Sequence, residues 1–155
     1  MKIAVLIKRV PDTASVIKIS DDGKSVETGS LKYVLNPYDE HAVEEAVKLK
    51  EQSEAEIIVI SAGDEKSTET MRVALAMGAD SGILIKDDAL NSASNKGIAK
   101  ALAAAAKTIS PDLIFAGKQA VDDDAAQVPE RVGELLEMSH VSVISKLELN
   151  DGNVV

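Results

Sequence analysis

The sequence predicts an α/β fold in three layers, with a mostly parallel sheet between helices. Three observations lead there. Short continuous apolar runs, such as Ile3 to Ile7, Ile57 to Ile60 and Leu113 to Ala116, fit strands buried on both faces. Longer stretches of helical period separate them. Turn residues (Gly63, Gly78, Pro111 and Gly117) punctuate the alternation. Alternating strands and helices favour a parallel sheet with right-handed crossovers.

The first strand is expected over Lys2 to Arg9, where charge brackets the apolar run. Val16 to Ile19 and Ser25 to Glu27 flank Asp21-Asp22-Gly23-Lys24, a β-hairpin pattern too polar for the sheet centre. Tyr33 to Leu35 is a short extended piece. Pro37 disfavours helix at Asn36 and suits a first helical turn, so a helix is expected from about Tyr38 to Gln52. A strand over Glu56 to Ser61 and a helix from about Lys66 to Met77 follow, with Gly78 as the stop. Next come a strand at Ile83 to Ile85 and an alanine-rich helix over Ala93 to Thr108, capped near Asn91 or Ser92. After Leu113 to Ala116, Pro129 places a helix start near Ala126 or Gln127, and that helix reaches about Glu137. His140 to Leu149 alternates with period two and reads as a strand. Asn150 to Asn153 reads as a turn into a return strand at Val154-Val155. The expected organisation is one α/β domain over residues 1–150, with 151–155 opening a truncated return strand of a longer polypeptide.

Composition removes whole classes of function. The chain has 155 residues, 45% of them hydrophobic, enough for one domain with a real core. Aromatic residues make up only 2%, so no platform for stacking bases exists, and a net charge of −9 opposes nucleic-acid binding. Without cysteine there is no disulfide, thiolate nucleophile or iron–sulfur ligand set. The two histidines, His41 and His140, are far apart in sequence, so neither a catalytic nor a metal site is expected. No signal peptide or membrane span is discernible, so a cytoplasmic protein without membrane insertion is expected.

Ligands of parallel α/β sheets bind beyond the carboxyl ends of the strands. Three loops leave such ends: Lys8 to Pro11, Ala62 to Glu65 and Gly117 to Gln127. The last is the strongest candidate. A glycine ends a buried strand, a polar loop follows, and a helix begins. Unpaired amides at such a helix start carry partial positive charge and attract phosphate. Lys118 and Gln127 are candidate side-chain partners. The competing reading is an ordinary strand–helix loop, with Asp122, Asp123 or Asp124 capping the helix. Carboxylates repel phosphate, so these residues suit capping, ribose hydroxyls or Mg²⁺ better. Asn36 can cap its helix or offer an amide to an adenine edge. No P-loop, no GxGxxG after the first strand, no nucleophile elbow and no HExxH motif occurs.

Five blocks together resemble a known family. They are Ile7-Lys8-Arg9-Val10, Asn36-Pro37-Tyr38-Asp39, Val43 to Lys50, Ala74 to Asp80, and Ala116 to Asp124. In order and spacing they resemble the N-terminal part of the β subunit of electron transfer flavoproteins (FixA-like proteins). The resemblance implies a fold similar to adenine nucleotide alpha hydrolases. It implies a partner α subunit holding most of the FAD, and a buried AMP, or a second FAD in bifurcating members. It implies nucleotide contacts at Leu6; at Asn36, Pro37, Tyr38 and Asp39; at Ala62; and along Gly117, Lys118, Gln119, Ala120, Val121, Asp122, Asp123, Asp124, Ala125, Ala126, Gln127 and Val128. Ala125-Ala126-Gln127-Val128 looks like the bifurcating pattern, whereas Asp123 stands where bifurcating members carry glycine, so AMP and FAD both stay open.

The leading expectation is therefore an electron carrier subunit rather than an enzyme. It would pass electrons from acyl-CoA or other dehydrogenases to a quinone oxidoreductase or other acceptor. A regulatory ATP/AMP-binding module of the universal-stress-protein type is the alternative, although Gly117 to Ala120 lacks that type's glycine-rich loop. A third possibility is a pure interaction subunit with an empty crevice.

Overall fold

The structure, a computed structural model, describes residues 1–150 together with 153 and 154. Four parallel strands form the central sheet in the order β5-β4-β1-β6. They are β1 (Lys2–Leu6), β4 (Glu56–Ala62), β5 (Ser81–Ile85) and β6 (Leu113–Ala116). The first strand lies inside, pairing Ile3 with Ile57 on one side and with Leu113 on the other. Helices cover both faces, so the expected three-layer arrangement forms. On one face α1 (Pro37–Gln52) and α2 (Ser67–Met77) bury Val43, Ala46, Met71 and Ala74 against Ile3, Val5, Ile57 and Val59. On the other, α3 (Asn95–Ile109) and α4 (Val128–Leu135) bury Ala99, Leu102, Ala106 and Val132 against Ala4, Leu6 and Ile60. Alternate residues of each strand thus feed different cores, which is why its sequence reads apolar throughout.

Helix ends follow local chemistry in most cases. Pro37 occupies the first turn of α1, and Asp39 and Glu40 add acidic groups there. Gly78 closes α2 at φ 130°, a conformation L side chains rarely adopt. A 3-10 turn over Asp88–Ser92 precedes α3, so the cap is Ser94, whose hydroxyl accepts from the Gly97 amide, rather than Asn91 or Ser92. Helix α4 starts at Val128, one residue past the expected boundary.

Two strand expectations fail for a physical reason. The apolar run beginning at Lys2 stops as a sheet strand at Leu6, because the Lys8 amide turns aside to donate to the Asp39 carboxylate at 2.8 Å. Arg9–Pro11 then forms β2, antiparallel to β3 (Tyr33–Leu35), with the Arg9 guanidinium 3.7 Å above the Tyr33 ring. The alternating segment from His140 is not a strand until β7 (Leu149–Asn150), which pairs with β8 (Asn153–Val154). Val141, Val143 and Ile144 remain exposed, and alternation without a partner strand leaves backbone groups unpaired. The expected hairpin at residues 16–27 reduces to one bridge, Ile19 with Val26. The expected turn at Asp151-Gly152 and the end of the return strand at Val155 lie outside the described residues. No described helix is long and apolar enough to cross a membrane.

Candidate nucleotide site

The sheet order reverses between β1 and β6, since the chain builds outward through β4 and β5 before returning to the far side of β1. Beyond the carboxyl ends of these strands lies a crevice of about 150 Å³. Its position is the one expected for ligands of open α/β sheets. Leu6, Ala62, Ile98 and Leu102 give it an apolar wall. Gly117, Ala125, Ala126, Gln127 and Val128 form the opposite, loop-side wall.

Two side chains from the start of α1 hold the loop after β6. Asn36, 1% exposed, donates its amide to the Gln119 carbonyl at 2.9 Å and accepts from the Val121 amide at 3.2 Å. It makes no cap bond to its own helix. Asp39, 6% exposed, accepts from the Lys8 amide at 2.8 Å and the Gly117 amide at 3.1 Å. Gly117 is required here by space. A Cβ built on it would stand 2.6 Å from the Tyr38 carbonyl carbon. The pair of clamps ties the carboxyl ends of β1 and β6 to the start of α1, and so fixes the crevice walls relative to one another.

Burial pushes the Asp39 carboxyl up to about 6, against the opposing pull of the Asn36 amide and of the Lys8 and Gly117 N–H groups. The folded carboxyl therefore holds its proton to higher pH than the unfolded one, with its ordinary value of 3.8. Between those values the folded state binds more protons, so this residue's contribution to stability falls as pH rises from 4 to 6 and is constant above. Relative to Asp39→Asn, the wild-type chain is expected to lose about 2–3 kcal/mol over that interval. Urea unfolding of both proteins at pH 4, 5, 6 and 7 measures the difference; parallel curves would refute it.

The aspartate run does not cap α4. Gln127 occupies the cap position without a side-chain cap bond. Asp123 accepts from the Ala125 amide at 3.1 Å, and Asp124 accepts from the Gln119 side-chain amide at 2.6 Å. Asp122 pairs with Lys8, whose ammonium lies 2.7 Å from it and 3.6 Å from Asp123. Four amides of the loop, those of Gly117, Val121, Asp124 and Ala125, are thus already bonded within the protein. Those of Ala126, Gln127 and Val128, at the helix start, have no partner among the described residues. The amides of Lys118, Gln119, Ala120, Asp122 and Asp123 likewise have no partner among the described residues, so the helix start is one of the stretches open to an anion, whereas the Gly117 amide is taken.

Of the residues expected to touch nucleotide, Leu6, Asn36, Asp39, Ala62, Gly117, Gln119, Ala120, Asp123, Ala125, Ala126, Gln127 and Val128 line the crevice. Pro37, Tyr38, Lys118, Val121, Asp122 and Asp124 do not. Lys118 and Tyr38 are exposed, and Val121 serves the clamp through its amide. Lining residues that sequence reasoning did not select as contacts are Ile7, Lys8, Asn95, Ile98, Leu102, Ala116 and Pro129. Lys8 stood in one of the three loops at strand ends, which was the available signal. Asn95, Ile98 and Leu102 come from α3, whose alanine-rich pattern signalled packing alone. His41 and His140 are exposed, and no group of three or more metal-ligating residues occurs among the described residues.

The residues present fit an adenylate. The aliphatic wall suits a purine face, and the unpaired amides and Lys8 suit a phosphate.

Comparison with known proteins gives the family. Residues 24–155 match the electron transfer flavoprotein domain. An electron transfer flavoprotein subunit beta from Syntrophomonas wolfei is 45% identical over 153 residues, covering 98% of this chain and 59% of the relative. Those of Bradyrhizobium diazoefficiens and Dictyostelium discoideum are 43% and 42% identical, over 96% and 99% of this chain and 59% and 61% of their own lengths. The chain therefore spans about three fifths of the length of these relatives. With the three-layer sheet and five ordered sequence blocks in agreement, the chain belongs to the electron transfer flavoprotein domain family, and its similarity there is to the β subunits.

Proposed function

We propose that this chain is the nucleotide-holding part of an electron transfer flavoprotein β subunit. It binds AMP, or a second FAD, in the crevice, and it pairs with an α subunit. The complex carries electrons from acyl-CoA or other dehydrogenases to a quinone oxidoreductase or other acceptor, in the cytoplasm. The observation that supports this most is the loop after β6. It is locked by Asn36 and Asp39, yet leaves the Ala126, Gln127 and Val128 amides unengaged beside an apolar wall.

The chain's own contribution is binding and orientation. Leu6, Ala62, Ile98 and Leu102 exclude water from one face of the nucleotide. The amides before α4 and the Gln127 side chain hold its phosphate. Arg131 donates from its guanidinium to the Gln127 side-chain oxygen Oε1 at 3.2 Å, which leaves the Gln127 NH₂ free to donate to a ligand. Flavin, shared with the α subunit, supplies the redox chemistry when bound. A regulatory ATP-binding module gains no support, since the Gly117 amide is already bonded to Asp39.

Thermal unfolding tests the nucleotide part. A ligand at a hundred times its Kd stabilises by about 2.7 kcal/mol, or roughly 5–10 °C for a domain of this size. AMP or FAD is expected to give such a shift. If neither moves the midpoint at millimolar concentration, the site reading is wrong. Co-expression with an electron transfer flavoprotein α subunit is expected to give a yellow heterodimer; a colourless complex argues against the pairing.

A further inference from the structure

Among the described residues lining the crevice, Lys8 is the one cation. Its ammonium is not free. Asp122 lies 2.7 Å away and Asp123 lies 3.6 Å away. This ion triad ties the end of β1 to the loop before α4, with Lys8 and Asp123 on the crevice lining and Asp122 outside it. Asp39 adds a further carboxylate on the crevice wall. The mouth thus holds one positive charge and at least two negative ones. All three groups of the triad are partly exposed, with side-chain exposures of 42%, 28% and 41%, so water weakens their mutual attraction without removing the field they set up.

We infer that Asp122 and Asp123, by sharing Lys8, cap the negative charge of any nucleotide admitted. The crevice takes an adenylate bearing about two charges, as in a monophosphate or a pyrophosphate diester, and rejects a nucleoside triphosphate. The inference rests on the adenylate reading above and adds a specificity rule to it. A monophosphate can take Lys8 from one aspartate at small electrostatic cost. Each further phosphate brings charge into a region whose net sign is already negative and whose single cation is already committed. Asp124 does not take part, because the Gln119 side chain engages it.

The test is calorimetric titration with AMP and with ATP at pH 8 in 20 mM salt, without Mg²⁺, on the wild-type chain and on Asp122→Asn/Asp123→Asn. The wild type is expected to prefer AMP by about tenfold or more. In the double variant that preference is expected to shrink about tenfold, mostly through tighter ATP binding. In the wild type, 0.5 M salt is expected to narrow the gap as well. Lys8→Met is expected to weaken both ligands and widen the gap. The single variant Asp123→Asn, at an exposed position, gives a smaller shift of the same sign if the double variant does not fold. If AMP binds and its ratio to ATP is equal in wild type and variants, the charge rule is overturned and the adenylate site stands. Absence of AMP binding in every protein overturns the site reading and the rule together.

Discussion

Gly117→Ala is expected to unfold the candidate site more completely than any other single methyl addition. The new Cβ would stand 2.6 Å from the Tyr38 carbonyl carbon and 2.7 Å from the Tyr38 Cβ, and would press on the Asp39 carboxylate as well. Two of these obstacles are backbone or Cβ atoms of the first turn of α1, so no side-chain rotation relieves the clash. Either α1 moves away from β6, which opens the core around Val43 and Phe115, or the loop leaves its clamp. Overpacking of this kind costs about 3 kcal/mol. For a domain of this length that lowers the melting temperature by about 6–12 °C. Nucleotide affinity is expected to fall at least tenfold, because the amides before α4 lose their fixed position. Gly29→Ala is the control, since a Cβ there meets nothing within 4 Å. Equal stability of the two variants would show that the close approach of Gly117 to Tyr38 is not real.

Asn36→Ala comes second. It strands two half-buried main-chain groups, the Gln119 carbonyl that accepts from the Asn36 amide and the Val121 amide that donates to its oxygen. Leaving a buried polar group unpaired costs about 1–3 kcal/mol, and partial solvent access lowers that for each of these two, so a loss of about 2 kcal/mol is expected. Asn36→Asp separates hydrogen bonding from shape. Its carboxylate can still accept from Val121, but it places charge against the Gln119 carbonyl oxygen, so it is not expected to restore stability. Hydrogen exchange at the Val121 amide is the direct readout. Protection retained in Asn36→Ala would mean that the loop is held by something else.

The layers, the strand order of events along the chain and the loop after β6 were legible because they depend on near neighbours. An apolar run of four residues closed by Gly117 declares a strand wherever it pairs, although at the edge of the sheet it is half-buried rather than buried, and Pro129 declares a helix start. Asn36 shows where that legibility ends. Locally it reads as a cap, and in the structure it spans 83 residues of sequence to reach Gln119. The stop of β1 at Leu6 has the same origin, since nothing near Lys8 announces that its amide belongs to Asp39. Val141 to Leu149 shows the converse. Period-two alternation describes what a strand would bury, and it cannot supply the neighbour that strand needs. The crevice was legible as three loops at strand ends, while its third wall from α3 was not, because Ile98 and Leu102 look identical to residues buried for packing alone.

The clamps at Asn36 and Asp39 carry a consequence for the order in which the protein is made. Gly117 and Val121 leave the ribosome 78 and 85 residues after their partners. A nascent chain carrying β1, β4 and β5 can assemble most of its sheet while two buried polar side chains on α1 still await their complements. Until β6 and the loop after it emerge, Asp39 holds an unshared carboxylate oxygen and Asn36 a bare amide, so an arrested chain that ends near Ser110 keeps two unsatisfied polar groups beside a core still lacking Phe115 and Val132.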